Sequence, residues 1–134
     1  MIANEYYSIE WLIENEVIHV IQLKHWTLEV AGWMVRDASI LMDSTNKEKV
    51  PIIVDGSRVP PFMYNIIDAN RMFRANKSDK WGFTIVVGEK NFTQFVAQTM
   101  LQLARIELRF TGSLDEALNV LYRIYPNLPH ASGE

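Results

Sequence analysis

VPIIVDGSRVPPF, residues 50–62, is the stretch on which the fold turns. Val50–Val54 is apolar and rich in β-branched side chains, so it reads as a short strand. The strand stops at Asp55, and Gly56, Ser57 and the pair Pro60-Pro61 supply turn chemistry. Pro61 suits a first helical turn, where its missing N–H would be unpaired in any case. A helix is predicted from about Pro61 to Ala75, with Phe62, Ile66, Ala69 and Phe73 on its buried stripe. A strand passing directly into a helix is the repeating unit of an α/β domain.

Upstream, Tyr7, Ile9, Trp11 and Ile13 alternate with Ser8, Glu10 and Leu12, the pattern of a strand with one buried face. Glu14-Asn15-Glu16 makes a tight reversal into a second strand, Val17–Trp26, apolar on both faces as a more central strand requires. Thr27 is the expected N-cap of a helix that fades in the polar run Ser44–Lys49, and Glu29 in its first turn suits the helix dipole. Downstream, Asn76–Lys80 is a polar loop and Trp81–Val87 a strand closed by Gly88. Asn91 is the expected cap of a third helix, with Phe92, Phe95, Val96, Thr99, Leu103 and Ile106 on one side. A short strand near Glu107–Thr111 precedes Ser113-Leu114-Asp115-Glu116, which has the Ser-x-x-Glu form of a capping box. The last helix reaches about Tyr125, and Pro126 ends it. The order ββαβαβαβα predicts a single α/β domain over residues 1–126, a mixed, mostly parallel five-stranded sheet with four helices packed on it. Residues 127–134 are expected to form a mobile tail.

The chain has 134 residues, 49% of them hydrophobic and 22% charged, enough for one core and too apolar for disorder. A net charge of -3 argues against sequence-independent nucleic-acid binding, which needs a cationic surface to displace counterions. The absence of cysteine excludes disulfides, thiol catalysis and thiolate-bound structural zinc. The opening MIANEYYSIEW has neither the basic region nor the long apolar run of a secretory signal. No stretch approaches the roughly 20 apolar residues of a bilayer span. A cytoplasmic protein without membrane insertion is the expectation.

The element order, the size and three stretches resemble the STAS (SpoIIAA-like) family. The stretches are Ile52-Ile53-Val54-Asp55-Gly56-Ser57-Arg58-Val59, the Trp81–Gly88 strand and Phe110–Leu118. The likeness is strongest to bacterial SpoIIAA-like proteins with a terminal GSLDEAL helix, and it covers about Tyr7–Ile124. It implies a SpoIIAA-like (STAS-type) fold and a regulatory, protein-binding role like that of anti-sigma-factor antagonists. In those proteins Asp-x-Ser-x-Val is followed by Asp-Ser-Ser-Gly, whose serine is phosphorylated. Here that stretch falls on Met63-Tyr64-Asn65-Ile66, so the acceptor serine and the glycine are both absent. Ser57 matches the earlier, non-acceptor serine. The interaction role carries over; the phosphorylation switch does not.

Asp55 ends its strand on the side where α/β sheets commonly bind ligands. With Ser57, Arg58, Pro60 and Pro61 it forms the candidate interaction loop. The plainer reading of Asp55 and Ser57 is turn or capping chemistry. Arg58 near a helix start suits an anion or simply faces solvent, and the prolines stiffen the junction. His19, His25 and His130 show no metal-ligand spacing, and no serine beside them lies in a nucleophile motif. Nothing marks a pair among Glu10, Glu14 and Glu16 as acid and base. No metal, cofactor or catalytic set is expected.

On the first helix, Leu28, Ala31, Val35, Ala38 and Met42 form the core stripe. Val30, Trp33, Asp37 and Ile40 fall outside it and are the candidate interface, unless another segment of the chain covers them. The sequence thus points to a non-catalytic interaction or regulatory module that binds a protein partner or self-associates. The alternative is a small apolar-ligand or lipid-binding domain, with Trp11, Trp26 and Trp81 around a cavity.

Overall fold

In the computed structural model, which describes residues 1–58, 65–88 and 105–129, six strands form one sheet in chain order. They are β1 (Ile2–Ala3), β2 (Tyr7–Ile13), β3 (Val17–Gln22), β4 (Val50–Asp55), β5 (Trp81–Val87) and β6 (Leu108–Thr111). The β1–β2 and β2–β3 pairs are antiparallel, and the three pairs from β3 to β6 are parallel. The fold is α/β and the sheet is mixed and mostly parallel, but it has six strands rather than five. The addition is β1, two residues long and too short to show any periodicity.

Three helices lie among the described residues: α1 (Leu28–Asp43), α2 (Ile66–Asn76) and α3 (Leu114–Ile124). The further helix expected from Asn91 falls on residues 89–104, outside the described ones, and Arg105 and Ile106 are not helical. The five-strand, four-helix STAS-type arrangement is therefore corrected to a broader α/β description.

Asn15 turns the β2–β3 hairpin at φ 60°, a left-handed conformation that asparagine tolerates better than most residues. A bulge between Trp11 and Ile13 then breaks the alternation that the sequence displays. Tyr7 and Ile9 face α1, whereas Ile13 packs on the opposite side, beside Val17. β3 ends at Gln22, earlier than the expected Trp26; beyond it the Leu23 N–H and the Trp26 indole N–H both donate to the Tyr6 carbonyl, at 2.8 and 2.9 Å.

Helix starts follow side-chain capping. Thr27 accepts from the Val30 N–H at 3.2 Å, and Ser113 from the Glu116 N–H at 3.2 Å. Glu116 reaches back to the Gly112 N–H at 2.7 Å, a capping box displaced by one residue. α2 starts at Ile66, not Pro61. Asn65 is extended there, and its side chain accepts from the Ile67 and Asp68 N–H groups at 2.9 and 3.1 Å.

The central strands are buried on both faces. α1 and α2 cover Ile9, Ile18, Val20 and Ile52. α3 covers Ile53, Ile85 and Val87 with Ala117 and Leu121. The first residues of the expected tail fold back on α3: Leu128 bonds the Tyr125 carbonyl at 3.2 Å, and Pro129 accepts from the Tyr122 hydroxyl at 3.2 Å. Residues 130–134 lie outside the described ones.

Candidate functional site

The cross-strand register brings distant residues onto two alternate rows, which share one face of the sheet. Glu10, His19, Ile53, Ile85 and Arg109 align in one; Ser8, Ile21, Asp55, Val87 and Thr111 align in the other, at the carboxyl edge of the parallel strands. Ile53, Ile85 and Val87 pack towards α3, so His19 and Asp55 stand on that same face, on neighbouring strands. β4 delivers Asp55 to the edge, where the Gly56 N–H continues the ladder to the Val87 carbonyl at 2.9 Å.

Asp55 then builds the corner. Its Oδ1 accepts from the Ser57 N–H at 2.9 Å and from the Ser57 hydroxyl at 2.6 Å, an Asx turn closed twice. Ser57 and Arg58 are exposed on this turn, while Asp55 is half-buried. The sequence-predicted Asp55, Ser57 and Arg58 are thus brought together. Pro60 and Pro61 lie outside the described residues.

His19 is the residue that sequence reasoning passed over. It is 6% exposed, and its Nε2 has no hydrogen-bond partner. Burial pushes its pKa below the ordinary 6.5; the carboxylates of Asp55 and Glu10 oppose that shift, and the Arg58 charge adds to it. Only the strand register could have shown that His19 and Asp55 share a face. A serine, a carboxylate and an imidazole lie in this region of the sheet, but in an order unlike that of a hydrolase. The Ser57 hydroxyl donates to the carboxylate, and no bond ties it to an imidazole that could act as its base. Among the described residues no group of three His, Asp or Glu is placed to hold a metal ion.

The second candidate surface is largely used up inside the fold. Val30 is 4% exposed and belongs to the core, which corrects its placement on an outer face. The apolar arc of α1 is wider than its stripe because the helix meets α2 as well as the sheet. Gly32 abuts Met72 there, and the Ser39 hydroxyl accepts from the Ser78 N–H at 2.8 Å. Trp33 is half-buried, with the Tyr6 ring edge-on at 6.2 Å. Asp37 accepts from the buried Tyr7 hydroxyl at 2.6 Å. Of the four residues, Ile40 alone is open, at 58% exposure.

The aromatics pair with one another. Trp26 meets Tyr7 at 5.9 Å and Trp81 meets Phe73 at 5.0 Å, both edge-to-face. The Trp81 indole N–H is satisfied by the Thr84 hydroxyl at 2.9 Å. No helix among the described residues is long and apolar enough to cross a membrane. No family model matches the chain, and neither a curated protein nor a solved structure matches it.

Proposed function

We propose that this protein is a non-catalytic interaction module of STAS type that docks a protein partner through the corner Asp55–Arg58. The observation that carries the reading is the doubly closed Asx turn. Both Ser57 bonds fall on one oxygen of Asp55, so a fixed turn at the carboxyl edge holds Ser57 and Arg58 outward. A rigid, exposed turn offers contact at a low cost in ordering. The Ser57 hydroxyl closes the turn, a structural role that suits a docking corner. Arg58 presents an exposed guanidinium, so the fitting partner surface is acidic. The resemblance at Ile52–Val59 supports the same role. For the apolar-ligand alternative, Trp26 and Trp81 pack against rings of their own chain and Trp11 lies against the same core.

The test is affinity capture from cells that naturally make the protein, with Arg58→Glu beside the wild type. The charge reversal should abolish capture of the partner and move unfolding stability by no more than about 0.5 kcal/mol, as expected for an exposed site. Undiminished capture by the stably folded variant would count against the corner.

A further inference from the structure

We propose that His19 and Ser57 compete for the Asp55 carboxylate, so that proton uptake at His19 releases Ser57 and loosens the Asp55–Arg58 corner. His19 lies in β3, paired with Glu10 on β2 and Ile53 on β4, and Asp55 is two residues beyond Ile53 on the same face. The imidazole is 6% exposed and its Nε2 is unbonded. A neutral imidazole has one donor and one acceptor, but an imidazolium has two donors and a charge that burial penalises. Once protonated, His19 requires an anionic acceptor.

Among the described residues, the charged groups that reach His19 are Asp55 from β4, Glu10 from β2 and Arg58 from the turn after β4. Arg58 repels the imidazolium, and the two carboxylates attract it. Glu10 is exposed and screened by water, whereas Asp55 is half-buried and interacts more strongly in the lower local dielectric. Both Ser57 bonds depend on Oδ1 of Asp55, so a rotation that carries Oδ1 from the turn towards His19 breaks both. The central residue of the sheet is thereby linked to its solvent-facing corner through a single side chain.

The inference rests on the docking reading only for its consequence, since the coupling itself needs no partner. The experiment is an NMR titration of the full chain from pH 8 to pH 4.5, following the His19 ring carbons and the Ser57 amide proton in one sample. The expected result is one shared midpoint below 6.5, with the Ser57 amide moving upfield as its bond to Asp55 is lost. In Glu10→Gln the shared midpoint should persist; in His19→Gln the Ser57 amide should stay flat down to the carboxylate range. A Ser57 amide that moves only with carboxylate titration in the wild type would overturn the proposal, whether or not the variants fold. Loss of the coupling in Glu10→Gln would overturn it too, by assigning the proton link to Glu10. Partner capture without a shared midpoint sinks the coupling alone, and a shared midpoint without partner capture sinks the docking reading alone.

Discussion

Tyr7 has no exposed surface, yet its hydroxyl reaches Asp37 on α1 at 2.6 Å. Burial, reinforced by that hydrogen bond and the nearby negative charge, pushes its pKa up to about 12 from 10.0. The folded state therefore favours the protonated phenol. The contribution of this group to stability is complete below pH 10 and is lost as pH rises from 10 through about 12. Tyr7→Phe should shrink the alkaline limb of the stability profile, leaving the part due to Tyr125, whose pKa burial also raises. At pH 7 it should also destabilise by about 1.5–3 kcal/mol, because a hydrogen bond to a charged group is lost. Denaturant unfolding across pH 7–11.5 checks both; an unchanged alkaline limb would show that another group controls it. Neither this bond nor the His19–Asp55 juxtaposition was legible beforehand. Each joins residues some thirty or more positions apart, and only helix docking and strand register bring them together. Asp55–Ser57 was legible as turn chemistry because both ends of the bond lie within the turn.

Elements were readable where periodicity or capping dominates and misread where the backbone departs from regularity. The starts of α1 and α3 followed Thr27 and Ser113 as expected. The start of α2 did not, because Pro61 drew attention from Asn65, an equally visible cap signal. The bulge in β2 inverted Ile13, which no alternation pattern can reveal. A second irregularity, where Val50–Ile52 of β4 faces the one-residue-longer Trp81–Thr84 of β5, accounts for Gly82. A Cβ there would lie 2.7 Å from the Val50 carbonyl oxygen and 2.8 Å from its carbon, so only glycine allows the backbones to approach. Gly82→Ala should cost about 3 kcal/mol, the upper part of the range for overpacking, since backbone rather than a flexible side chain must move. A thermal melt or urea midpoint within error of wild type would show that β4 and β5 can separate at little cost. Gly88 has no such neighbour and should tolerate alanine far better.

At the scale of the molecule, the alternation of strands and helices was enough to predict a mixed, mostly parallel α/β sheet. It missed β1, two residues paired with β2 and packed on the core through Ile2. The candidate surfaces were legible in part. The grouping of Asp55 and Ser57 at the carboxyl edge was legible because β4 ends there and the turn follows directly. The outer face of α1 was not, because a helical wheel cannot show that α2 and the Tyr6–Tyr7 segment cover its flanks. Two exposed positions now stand for the two surfaces, Ser57 at the corner and Ile40 on α1. The most direct test places a photo-crosslinking amino acid at position 57 or 40 and irradiates cells that naturally make the protein. A discrete protein adduct should form from position 57, vanish when Arg58→Glu is added, and be absent from position 40. An adduct from position 40 alone, or one from position 57 that survives Arg58→Glu, would contradict docking through the Asp55–Arg58 corner.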